Sequence, residues 1–240
     1  MIRMAKAAVR ALLRRFDVDL RRYSDTIRSR RADILEENGI TLVLDAGANV
    51  GQYATSLRET GYAGRIVSFE PLQAAYAELE KRAASDDAWE CRHMALGDSD
   101  GLAEINIAAN SVSSSLLPML PRHLKGEPAS SYVGSQEVTR RRLDSLSSEL
   151  VGDTDNVYLK LDVQGFEMQT LRGAAGTLEG VRATEVEMSV VPLYEGQALW
   201  HEVIAYLYSL GFELAWLERG FTDENSGRIL QLDGIFVRGS

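Results

Sequence analysis

A short apolar run, ITLVLDAG at 40–47, ends on an acid and a glycine and passes into a helical stretch. The same unit of strand, turn and helix recurs down the chain. RIVSFEP precedes the helix PLQAAYAELEKRAAS, WECRHMALGD forms a third strand with its exit loop, and NVYLKLD precedes a helix over about 165–180. RATEVEMSV precedes the amphipathic helix ALWHEVIAYLYSLGF. Strands that alternate with helices imply a mostly parallel sheet covered on both faces. FELAWLERG and RILQLDGIFVR read as a closing antiparallel pair, LAEINIA as an extra strand, and the Ser/Pro/Gly-rich stretch 110–136 as a long loop. The fold class is therefore α/β, Rossmann-like, with helices on both faces. The expected division is a basic helical extension over 1–39 and one α/β domain over 40–240.

Composition narrows the function. Net charge is −9, which argues against a nucleic-acid partner. The charge is uneven, however. Residues 1–31 hold ten Lys or Arg against three acids, leaving −16 on the other 209. Met4, Ala8, Leu12, Phe16 and Leu20 form a rough helical stripe opposite the arginines. Such a segment packs on the domain with its basic side in water, meets an anionic membrane or glycolipid surface, or is a transit peptide, a pattern its acids interrupt. One cysteine, Cys91, leaves no internal disulfide. No apolar run nears the roughly 18 residues of a membrane span. The expected location is the cytoplasm, with peripheral membrane contact through the basic extension.

In such a sheet, ligands bind beyond the carboxyl ends of the strands. The first end is LDAGANVGQYA, with Asp45, Gly47, Asn49 and Gly51 spaced as D-x-G-x-x-x-G. Glycines admit close backbone approach to a cofactor. A carboxylate suits an ammonium group better than a pyrophosphate, which favours S-adenosylmethionine over a dinucleotide. Glu70 ends the second strand 19 positions after Gly51, where an acid accepts from ribose hydroxyls. Near the third strand end, Ala95 and Leu96 with Met94 are placed to line an adenine slot, and Asp98 to accept from the exocyclic amine.

Lys160 and Asp162 share one side of a strand read as buried on both faces, as do Glu185 and Glu187 on the next. Charges there are costly unless paired or functional. One reading is a buried network with Lys160 neutralising an acid. The other makes Asp162, Glu187 and Lys160 catalytic, a carboxylate taking the proton from an acceptor hydroxyl. Asp162 and Glu187 are also the candidate ligands of a Mg²⁺ that would lower the pKa of that hydroxyl. His123 in the long loop, with Tyr194 and Glu195, are candidate acceptor contacts.

LDAGANVGQYA, VSFEP, MALGDSDG, RRLDSL, YLKLDVQGFEMQTLRGA, EVEMSVVPLYEG and LQLDGIFVR, in that order, resemble the FkbM-type methyltransferases. The resemblance covers roughly residues 40–238. It implies a seven-stranded sheet with an antiparallel last strand, S-adenosylmethionine as cofactor, and methylation of hydroxyl groups on sugars, glycolipids or other natural products. The competing readings are an NAD(P)-dependent oxidoreductase and a non-catalytic nucleoside-binding protein. The glycine spacing, Asp45 and the lack of a Tyr-x-x-x-Lys pair argue against the first. Asp162 together with Glu187 argues against the second.

Overall fold

Five-residue runs without a polar face, such as LVLDA and VYLKL, are suited to a parallel sheet covered on both sides. In the computed structural model, which describes residues 26–223 and 226–239, β1 (Leu42–Ala46) and β7 (Val157–Leu161) are buried along their whole length. They pair in parallel at the centre of a seven-stranded sheet. β2 (Arg65–Phe69) and β3 (Trp89–Arg92) extend it on one side, and β8 (Val181–Ser189), β10 (Gln231–Arg238) and β9 (Phe212–Arg219) on the other. The order is β3-β2-β1-β7-β8-β10-β9, with β10 antiparallel to both neighbours. This is the predicted architecture, closing antiparallel pair included.

Helices cover the two faces. α1 (Ile27–Glu37), α2 (Gln52–Glu59) and α3 (Gln73–Ala83) bury Ile34, Leu57 and Leu79 against Val43, Ile66, Tyr158 and Ile235. α1 is opened by Thr26, whose hydroxyl accepts the Ser29 N–H at 3.3 Å. The other face packs Leu44, Leu159, Leu161 and Phe236 against α6 (Glu167–Arg172), α7 (Ala175–Leu178) and α8 (Trp200–Ser209). The stripe from Met4 to Leu20 lies outside the described residues. No helix among them is long and apolar enough to cross a membrane.

Three local expectations change. The single helix over 165–180 is two short helices, parted at Gly173 and Ala174, where Gly173 lies so close to the Gly97 backbone that no side chain would fit. After β3 the chain leaves the large sheet, and Ala95–Leu96 form β4 of a second, three-stranded sheet, order β4-β6-β5. β5 (Gly101–Ala108) is the expected extra strand. The stretch 110–136 is not all loop: it holds α4 (Pro121–Gly126), and β6 (Tyr132–Arg141) begins within it. β6 pairs antiparallel with β5. A further short helix, α5 (Ser147–Leu150), precedes β7.

Candidate active site

The parallel register brings charge together from distant positions. Asp45 on β1 lies opposite Lys160 on β7, and Lys160 lies opposite Glu185 on β8. Beyond them on the same sheet face come Asp162, Glu187 and, on β10, Asp233. The apolar floor under α1 and α2 thus turns ionic toward the carboxyl ends of the strands.

Two clefts open there. The first, about 390 Å³, runs between the β1–α2 loop, the β2 end, β4 and the β5–β6 connection. Its lining includes Gly47, Asn49, Glu70, Leu72, Ala95 and Leu96. The second, about 270 Å³, is lined by Asn110, Ser113, His123, Glu187, Phe221 and Gln231, among others. Val112, Asp162 and Gln164 line both.

In the first cleft, Glu70 is buried and fixed by two backbone donors, Asn49 N–H on Oε2 at 2.8 Å and Leu72 N–H on Oε1 at 2.7 Å. Each oxygen keeps a lone pair for a ligand hydroxyl. Burial outweighs those N–H groups and pushes the carboxyl up to about 7. Leu72, Ala95, Leu96 and Ile105 supply an apolar slot beside it.

Several predicted residues sit elsewhere. Asp45 is fully buried and does not line the cleft; Lys160 Nζ stands 3.2 Å from its Oδ1, and Ser68 Oγ donates to its Oδ2 at 3.2 Å. It is a counter-charge to Lys160 within the sheet. Gly47, at φ 77°, is required by the Asp162 carbonyl, which occupies the space a side chain would need. Gly51, at φ 89°, is packed on the Trp89 ring. Asp98 lies outside both clefts, 4.0 Å from Arg140.

Lys160 is buried and donates to the Gly47 carbonyl at 3.1 Å, with Asp162 Oδ2 3.8 Å away. Burial works against its charge, but Asp45 and Asp162 outweigh it and raise the ammonium above lysine's ordinary value. A lysine held charged is no base, and Lys160 enters the first cleft as a cation beside Asp162. Glu185 pairs with Arg31 instead, through bonds of 2.6 and 2.5 Å, and accepts from Tyr53 and Tyr158 at 2.7 and 2.8 Å.

At the junction, Gln164 Nε2 donates to Asp162 Oδ1 at 2.8 Å and to Glu187 Oε2 at 2.9 Å. Gln231 donates to the same Glu187 oxygen at 2.6 Å. Removal from water, then Asp162, Asp233 and Glu167, push Glu187 well above the usual carboxylate range, which favours its neutral acid. A Mg²⁺ held by oxygens does not fit here. The point between the two carboxyls is filled by an amide nitrogen that offers hydrogens and no lone pair. Among the described residues no group of three His, Cys, Asp or Glu is set to hold a metal.

Tyr194 is buried outside the lining of both clefts, and its hydroxyl donates to Gln164 Oε1 at 2.7 Å. Glu195 is exposed and also lines neither. His123 lines the second cleft between Tyr194 and Phe221, and burial lowers its pKa to about 4. The sequence reading missed Gln164, Gln231 and Arg31. The only available signal was that Gln164 sits inside the motif that carried the family resemblance.

Known proteins bear on this site. The 2-O-methyltransferase NoeI of Sinorhizobium fredii (strain NBRC 101917 / NGR234) is 26% identical over 209 residues, 84% of this chain and 85% of NoeI. Among solved structures, magnesium protoporphyrin IX methyltransferase (ChlM) of Synechocystis PCC 6803, with bound SAM, is 13% identical. It aligns with 88% of this chain and 78% of its own at a TM-score of 0.49. The 1,6-didemethyltoxoflavin-N1-methyltransferase of Burkholderia thailandensis is 12% identical, aligned over 100% of this chain and 88% of its own, with a TM-score of 0.44. A sequence model of the FkbM methyltransferase domain matches residues 45–214, and the chain accordingly belongs to that family of S-adenosylmethionine-dependent methyltransferases.

Proposed function

We propose that this methyltransferase acts on oxygen, methylating a hydroxyl of a sugar-type acceptor seated in the second cleft, with Asp162 taking the hydroxyl proton. The observation that carries this reading is the junction: both clefts share Asp162 and Gln164. S-Adenosylmethionine supplies a sulfonium methyl that moves to the oxygen by in-line displacement, leaving a neutral thioether. Glu70 is placed for ribose hydroxyls, and Leu72, Ala95, Leu96 and Ile105 for the adenine. That arrangement leaves the reacting end of the cleft to Asp162.

Amides and carboxyls from Asn110, Gln164, Gln231 and Glu187, beside the Phe221 ring, suit a ligand rich in hydroxyls with one apolar face. Glu187 as the neutral acid can donate to an acceptor oxygen, while Asp162 accepts. The imidazole of His123, with a pKa of about 4, is a weak base and serves as wall. NoeI, a 2-O-methyltransferase by name, supports oxygen as the acceptor atom. A lipid-linked sugar fits the net +4 of residues 1–25, seven Lys or Arg against three Asp, because basic groups there would draw the enzyme to anionic headgroups.

Incubation with methyl-labelled S-adenosylmethionine and a panel of glycosides, followed by mass spectrometry, tests the acceptor. Asp162→Asn should lower kcat by about 10²- to 10⁴-fold and leave S-adenosylhomocysteine affinity unchanged by calorimetry. Wild-type kcat in that variant would remove Asp162 from the chemistry. Stabilisation by NAD and not by S-adenosylhomocysteine would refute the cofactor.

A further inference from the structure

The turn after β7 is held with unusual care. Gln164 has φ 52°, a conformation that side-chain-bearing residues seldom adopt. Its carbonyl accepts from Ser115 Oγ at 2.6 Å. The neighbouring Val163 and Gly165 N–H groups both donate to Glu167 Oε1 at 3.1 Å. Gly165, at φ 95°, is packed on the Tyr194 ring. With the backbone fixed on both sides, the Gln164 side chain folds back over Asp162.

There its amide is used at both ends. The two N–H bonds of Nε2 go to Asp162 and Glu187, and Oε1 accepts from Tyr194. The opposite flip would set an amide oxygen against the Asp162 carboxylate, two acceptors face to face. One side chain therefore supplies what two neighbouring carboxyls would otherwise require from a cation: positive charge density directed at an oxygen of each.

We propose that Gln164 is the positioning residue of this site. Its amide takes the place a divalent ion would hold between Asp162 and Glu187, and it aims Asp162 at the junction of the two clefts. The second half of this proposal rests on Asp162 acting as the proton acceptor; the first half does not. By analogy with groups that orient metal ligands, this orientation should contribute about 10- to 100-fold in activity.

Two experiments test it. In the first, Mn²⁺ is the probe and its electron paramagnetic resonance is the readout. The wild type should leave the free Mn²⁺ signal unchanged. Gln164→Glu, which replaces the amide with a third carboxylate, should remove one equivalent of the signal, and adding Asp162→Asn should restore it. Capture of Mn²⁺ by the wild type at this position, or failure of a folded Gln164→Glu variant to capture it, would overturn the exchange of amide for ion. Folding is checked by retained S-adenosylhomocysteine affinity.

In the second, Gln164→Met keeps the shape of the side chain and deletes its amide. On a glycoside that the wild type methylates, kcat should fall about 10- to 100-fold, with acceptor KM and S-adenosylhomocysteine affinity held. Unchanged kcat in Gln164→Met alongside a slow Asp162→Asn would overturn Gln164 alone. Unchanged kcat in Asp162→Asn would overturn the reading of Asp162 instead.

Discussion

Glu70 joins a loop to the wall of the first cleft. Its two oxygens already receive the Asn49 and Leu72 N–H groups, which lock the β1–α2 turn to the end of β2. A carboxyl with a pKa of about 7 is half ionised near neutrality. Only the ionised form offers acceptor sites on both oxygens. S-Adenosylhomocysteine affinity, measured by calorimetry, should therefore rise between about pH 6 and 8. In Glu70→Gln it should be weaker and lose that rise. The place of Glu70 in the cleft was legible in sequence because it follows from distance along the chain after the glycine turn. Asp45 was read as a carboxylate for a cofactor ammonium; its pairing with Lys160 was not legible, since it depends on a register across 115 positions. Gln164 carried no signal of its own: a polar residue in a turn has no periodicity, and its bonds exist only once three elements converge.

Among the elements, α1 contributes most beyond expectation. It buries Ile34 and Leu35 and sends Arg31 through the sheet face to Glu185, 154 residues away. It also supplies Ile27, Arg28 and Arg31 to the wall of the first cleft, although it precedes the segment matched by the family. The pair is enclosed, and Arg31 also stacks 4.4 Å above the Tyr53 ring. Burial alone would raise the Glu185 carboxyl, yet Arg31 and the two tyrosine hydroxyls bring it below the usual range. Arg31→Ala leaves that carboxylate without its counter-charge and should cost about 3–5 kcal/mol in urea denaturation. Arg30→Ala, whose pairs with Asp33 and Glu37 face solvent, should stay within about 0.5 kcal/mol. Sequence periodicity located the large-sheet strands because their burial is regular. It missed the first half of β6, inside the stretch read as loop, because YVGSQ lies in a small sheet with none of it fully buried, and so lacks an apolar face.

For the whole molecule, the crowding of acids at one end of the sheet has a cost that pH should reveal. Glu70, Glu167 and Asp233 are each raised to about 7, with burial the largest cause. In the unfolded chain these groups ionise near 4, so between about pH 4 and 7 the folded state binds more protons. Stability must then fall as pH rises through that window. His123 acts in the opposite sense: its folded pKa of about 4 costs stability as pH drops below the ordinary histidine value. Three carboxyls against one imidazole predict a lower urea midpoint at about pH 8 than at about pH 6, without added cofactor. The mostly parallel sheet and the closing antiparallel strands were legible at this scale, since alternation of strands with helices and then two adjacent strand runs carry them; the strand order was not. The path of 110–115 along both clefts was not. Yet that segment, hung from the edge of the small sheet, gives Ser111 and Ser114 to one compartment and Asn110 and Ser113 to the other. Exchanging this short stretch would therefore reshape both compartments at once, so a change of clientele in one would be felt in the other.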